Sequence, residues 1–218
     1  PSGITQAIMA TAGMVVLNLT NAMGETVIAC NVVVMRVDGF AMMPNFTFGQ
    51  AMSVYTGQNV GAGKWDRVQK GVRQGSLLAQ SVAITLVILI LIFGKYLFGI
   101  FTTTASLIDL AMGMMQILAV GYIAISVTQV LGGVMRGCGD TVTPMWISII
   151  NTIALRIPLA YALAHFSKSA EFPNGHPYAL SISLLVAWVL GMIFSVVAFR
   201  YGKTRKMIRS EMARQATE

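Results

Sequence analysis

Five stretches of this chain contain no Asp, Glu, Lys or Arg: Pro1–Gly24, Gly39–Gly63, Gln74–Gly94, Leu110–Met135 and Phe172–Phe199. Each reaches or exceeds the roughly 20 residues that a helix needs to cross the hydrocarbon core of a bilayer. A sixth, Thr141–Ser167, is interrupted only by Arg156. In hydrocarbon the backbone must satisfy its own N–H and C=O groups, so runs of this length imply helices. Composition agrees, with 56% of residues hydrophobic and 11% charged, far from the balance of a water-soluble domain. The fold class expected is an all-α membrane protein.

Glycine and proline divide the chain. The pattern predicts six transmembrane helices over roughly 2–23, 27–61, 66–94, 105–136, 141–166 and 177–201, forming one lobe (1–201), with Pro44 kinking the second helix and a basic tail over 202–218. The stretch GQNVGAGKWDRVQKG, Gly57–Gly71, has neither the spacing nor the hydroxyl of a phosphate-binding loop. It reads instead as an interhelical turn, with Gly61 and Gly63 ending one helix and Asp66 capping the next. Arg136-Gly-Cys-Gly-Asp140 repeats that grammar, with Asp140 or Thr143 starting a helix and Pro144 in its first turn.

Charge sets the orientation. With six spans, one side collects Lys64, Arg67, Lys70, Arg73, Arg136, Arg200, Lys203, Arg205, Lys206, Arg209 and Arg214, and the other only Lys95 and Lys168. The positive-inside rule then places both ends of the chain in the cytoplasm, in the cell (inner) membrane. The net charge of +7 is a topology signal and implies no nucleic-acid partner, although the tail suits anionic lipid headgroups. The first apolar run lacks the basic flank and cleavage site of a signal peptide. A chain opening on Pro-Ser-Gly without an initiator Met reads as a piece of something longer. Cys30 and Cys138 are expected near opposite membrane faces and unbridged, and neither they nor His165 and His176 have metal-ligand spacing.

Charges inside a span need a reason. Arg36 and Asp38, two apart on the second helix, point to different faces. Both could sit near the outer interface, or Asp38 could be a protonatable or cation-binding site. Met35, Asp38, Met42, Asn45, Gly49 and Met52 recur every three or four residues, either as a helix-packing seam or as a soft lining for ligands of many shapes, to which the fifteen methionines would contribute. Tyr122, Ser126, Gln129 and Gly133 share a face of the fourth helix, with Gln116 nearer the outside, and Asn18 and Asn21 share a face of the first. Each set either holds helices together or lines an aqueous path. Arg156 either pairs structurally within the lobe or touches substrate. No HExxH, CxxC, Walker sequence or nucleophile–base pair suggests an enzyme.

Two segments resemble a known family: MRVDGFAMMPNFTFGQAMSVYTGQNVGAGKWDRVQKGVRQG and VLGGVMRGCGDTVTPMWI. Through them the chain resembles the C-terminal half of the multidrug and toxic compound extrusion (MATE) transporters. The resemblance implies one lobe of a twelve-helix fold whose other lobe, six helices on the N-terminal side or a second copy of this chain, is a required partner. It implies export of organic cations in exchange for H+ or Na+, with no cofactor, and places Asp38, Arg36, Met42, Asn45, Asn18, Tyr122, Gln129 and Arg156 along the substrate and ion pathway. Asp38 aligns with an acid of the family's pattern. A lipid-linked oligosaccharide flippase of the same superfamily should show a strongly cationic cavity, for which only Arg36 and Arg156 are available; a non-transporting scaffold subunit is the remaining alternative.

Overall fold

A computed structural model describes residues 2–170 and 172–215. Pro1 and the last three residues of the expected tail fall outside these ranges, as does Glu171. The helices are α1 (Ser2–Ala22), α2 (Glu25–Gly61), α3 (Trp65–Gly99), α4 (Ala105–Gly137), α5 (Val142–Ile149), a π-helical segment (Ile150–Arg156), α6 (Ile157–Phe166), α7 (Tyr178–Tyr201) and α8 (Lys203–Gln215). No strand occurs among the described residues. The chain is a multi-pass, all-α membrane protein. Five helices are long and apolar enough to cross a membrane, α5 through α6 counting as one continuous helix, Val142–Phe166, and α1 contributes a shorter apolar stretch, Ala7–Ala22.

α4 is the centre of the lobe, packed by α2, α3 and α7. Lipid tails are as apolar as leucine, so close fit rather than transfer from water holds such helices together, and small residues let backbones approach. The α2–α4 contact shows this. A Cβ on Gly133 would overlap the Gly49 carbonyl oxygen and stand 3.1 Å from Met52 Cβ; one on Gly137 would stand 2.6 Å from both the Ser53 carbonyl oxygen and Thr56 Cβ. The lobe has two buried apolar clusters: one around Cys30, Phe98, Met114, Met115, Tyr122 and Trp188, the other around Met52, Trp65, Val134, Met135, Phe199 and Ile208.

Gly63 (φ 68°) and Gly139 (φ 86°) take the left-handed conformation that ends a helix. Asp140, one residue before the N-cap Thr141, accepts a bond from the Thr143 backbone N–H at 3.1 Å and so satisfies a donor in the first turn of α5. Asp66 does not cap α3. The N-cap is Lys64, and Asp66 lies inside the first turn, where its charge still complements the helix dipole.

Three further features differ from the sequence expectation. α3 continues past Gly94 to Gly99, because Gly94 is a point of close approach and not a stop: a Cβ there would meet Met112 Sδ at 2.7 Å. Lys95 therefore sits within a helix, 2.7 Å from Asp109 of α4. The fifth span carries the π segment directly before Pro158, where the Ile157 N–H reaches back to the Thr152 carbonyl. Proline lacks an N–H and crowds the carbonyl four residues earlier, so a widened turn accommodates it. The tail is a docked helix. Thr204 and Ile208 of α8 are buried, spaced four apart with Met212 completing the stripe, and Gln215 Nε2 donates to the Gly63 carbonyl at 2.5 Å.

Candidate functional site

The 37-residue α2 runs unbroken through Pro44 and brings Asp38 opposite Tyr122 of α4. The Tyr122 hydroxyl donates to Asp38 Oδ1 at 2.7 Å and lies 3.3 Å from Met115 Sδ. The Tyr122 ring is 1% exposed and packs against Trp188 of α7 at a centroid distance of 5.6 Å. An oriented donor in a water-poor setting holds a carboxylate strongly, because the local dielectric is low. Arg156, at the end of the π segment, acts electrostatically on Asp38 without an ion pair within 4.0 Å. Its buried Nε has no hydrogen-bond partner. The lobe thus places one carboxylate between a fixed donor and a cation at longer range.

Below this pair the predicted stripe is a seam. Asn45 is 2% exposed and bonds the Ala41 carbonyl of its own helix at 3.3 Å. Met42 packs on the first apolar cluster. Gly49 faces Gln129, whose carbonyl oxygen would stand 3.1 Å from a Cβ there. Asn45 is therefore buried against its own helix and Gln129 packs on Gly49, while Met42 and Gln129 each keep part of their surface exposed. Among the large apolar side chains that α2 leaves exposed are Met35, Phe40, Met43 and Phe46, with Val32, Val54 and Tyr55 towards its ends; Met35 belongs to the expected stripe but is exposed.

The remaining expected residues stand apart from Asp38. Arg36 is exposed, its guanidinium 5.5 Å from the Phe101 ring centroid at the end of α3. That is a cation–π contact at the rim of the lobe. Asn18 and Asn21 lie on the exposed face of α1. Cys30 and Cys138 are free thiols. His176 accepts from the Tyr178 N–H at 3.2 Å, and no group of three or more His, Cys, Asp or Glu suited to a metal occurs among the described residues.

Sequence reasoning did not find Trp188, Met115 or the proximity of Arg156 to Asp38. Trp188 and Arg156 lie far along the chain from Asp38, and only the packed lobe joins them. Met115 had a signal, being seven residues, two helical turns, before Tyr122.

The MatE family model matches residues 1–162. Similar proteins include "Probable multidrug resistance protein YoeA" of Bacillus subtilis, 27% identical over 190 residues that make up 86% of this chain and 41% of that protein. "Probable multidrug resistance protein NorM" of Thermotoga maritima is 24% identical over 197 residues, 90% of this chain and 39% of that one. The chain spans less than half the length of each. Among solved structures, MATE in complex with MaD3S superposes with a TM-score of 0.82 at 16% identity, covering 91% of this chain and 43% of that one. The outward-facing conformation of a multidrug resistance MATE family transporter of the MOP superfamily gives 0.80 at 17%, covering 98% and 46%. The family match takes in the Asp38–Tyr122 pair and Arg156, and the chain belongs to the MatE family, whose members are transporters and not enzymes.

Proposed function

We propose that this chain is the C-terminal six-helix lobe of an efflux antiporter in the cell (inner) membrane, with both ends cytoplasmic, exporting organic cations in exchange for H+ or Na+. The observation that carries the mechanism is the Asp38 carboxylate held at 2.7 Å by the Tyr122 hydroxyl at the junction of α2, α4 and α7. A proton or Na+ arriving at Asp38 cancels its charge. The Tyr122 bond weakens and the pull on Arg156 of the fifth span falls. One binding event thereby reaches three packed elements, and a ligand that favours one arrangement shifts the population toward it.

The cavity wall for the exported compound is assigned to the exposed Met35, Phe40, Met43 and Phe46 of α2, with the partly buried Met42 beside them, and not to the buried Asn45. Flexible thioethers and aromatic faces accept varied apolar cations with few fixed hydrogen bonds. A partner lobe must close this wall, in keeping with relatives about twice as long as this chain.

The test is efflux of a fluorescent organic cation from proteoliposomes holding the intact protein, under an imposed proton or sodium gradient, with Asp38→Asn alongside. Gradient-driven flux that disappears in a folded Asp38→Asn protein supports the reading. Absence of flux under both gradients from folded wild type overturns it, and unchanged flux in the variant removes Asp38 from the coupling.

A further inference from the structure

A cavity of about 710 Å³ opens where α3, α4, α7 and α8 meet. Four arginines converge on it: Arg73 from α3, Arg200 from α7, and Arg205 and Arg209 from α8. Its wall is apolar on one side, built from Val72, Leu131, Val196 and Phe199, and Leu77 and Tyr201 also line it and are exposed. Neither the Asp38 cluster nor the α2 face shares a residue with it.

The charges here are unbalanced. Among the described residues no carboxylate lies within 4.0 Å of any of the four arginines, and the ion pairs found there are Lys70–Asp66, Lys95–Asp109 and Arg214–Glu211. Arg200 and Arg209 both act on Arg205, which uses one guanidinium nitrogen to bond Gln69 Oε1. Folding α8 onto α3 and α7 thus gathers like charges at close range, and such an arrangement costs free energy until an anion enters. Arg73, Arg200 and Arg209 are exposed and Arg205 is half-buried, yet all four contribute to the wall of one concave site.

We propose that this cavity binds the headgroup of one anionic phospholipid, with the phosphate among Arg200, Arg205 and Arg209 and the acyl chains leaving past Leu77 and Tyr201. Three features select a lipid over a soluble anion: the apolar side of the wall, the exposed Leu77 and Tyr201, and the position at the end of two membrane-crossing helices. Guanidinium forks match phosphate oxygens in pairs, and basic pockets between helix ends are suited to such headgroups. The bound lipid would neutralise the cluster and fix α8 against the spans. The inference does not depend on the transport reading.

The experiment titrates delipidated intact protein with phosphatidylglycerol or phosphatidylcholine of identical acyl chains and counts bound lipids by native mass spectrometry. Wild type should hold one phosphatidylglycerol at a concentration roughly tenfold or more below that needed for phosphatidylcholine. Arg205→Gln/Arg209→Gln should lose most of that preference, while Lys203→Gln/Lys206→Gln, equal in charge change but outside the cavity, should keep it. Arg200→Gln gives a second reading if the double variant fails to elute as a folded species. Equal retention of the two lipids, or equal loss in the lysine variant, overturns the proposal. Displacement of the lipid by millimolar inorganic phosphate would also overturn it, since the site would then take a free anion.

Discussion

The Tyr122 hydroxyl and the Asp38 carboxylate, eighty-four residues apart in the chain, meet at 2.7 Å across the α2–α4 seam. Tyr122→Phe keeps the ring against Trp188 and removes only the donor. Interhelical hydrogen bonds in membranes contribute on the order of 1 kcal/mol, so the variant should fold with a modest fall in thermal stability. Its half-saturating concentration of coupling cation should nevertheless move several-fold, read from flux against gradient. An unchanged cation dependence would separate Tyr122 from coupling.

The seam predicts a graded glycine response. Gly133→Ala and Gly137→Ala press a Cβ onto backbone atoms of α2, and overpacking of that kind costs roughly 1–3 kcal/mol. Gly39→Ala, with nothing within 4 Å of its added methyl, should be neutral or stabilising by up to about 1 kcal/mol. Thermal unfolding of the three variants in one detergent ranks them, and a destabilised Gly39→Ala would contradict the packing described.

Burial, with the nearby Asp140 charge adding to it, pushes the Cys138 thiol up to about 11. The reactive species is the thiolate, and a raised pKa keeps it scarce at neutral pH. Maleimide labelling of Cys138 should be slow at pH 7 and rise about tenfold per pH unit through pH 9. Fast labelling at pH 7 would mean an accessible thiol of ordinary acidity.

Ile208 is fully buried where α8 docks. Ile208→Asp would place an unpaired carboxylate in that contact, at a cost of several kcal/mol. The expected result is an undocked α8 on an otherwise intact lobe, seen as rapid tryptic cleavage at Lys203, Arg205 and Lys206 that wild type resists. Equal resistance in both proteins would place α8 elsewhere.

The Lys95–Asp109 pair is short but about two-thirds exposed on both sides. Lys95→Gln should change stability by less than about 1 kcal/mol. A larger loss would mark that end of α3 and α4 as shielded by something beyond this lobe.

Helix positions were legible in the sequence because hydrocarbon leaves a chain few options, and the α2–α4 seam because Asp38, Met42, Asn45, Gly49 and Met52 follow one helical face. Whether that face lines a cavity or packs was not legible, because both uses call for small and soft residues; the structure shows packing at Gly49 on Gln129 and at Met52 on Gly133. Gly94 was misread as punctuation since a glycine that ends a helix and one that admits Met112 look alike in one dimension. Pro158 was a local signal for the widened turn before it, but the docking of α8 depends on what lies opposite Ile208, which no local pattern specifies.

Contact through backbone atoms has a consequence for how far this sequence can drift. A side chain that loses its fit can be rescued by enlarging its neighbour, but the Gly49 carbonyl facing Gly133 has no side chain to adjust. Exchanges along that line would require two helices to separate, whereas Ile88, Leu91 and Ile92 on the exposed flank of α3 answer only to general oiliness. A saturation scan of the lobe should therefore show a narrow intolerant track, Gly49 to Gly133 to Gly137, beside broad flanks where nearly any apolar residue is accepted.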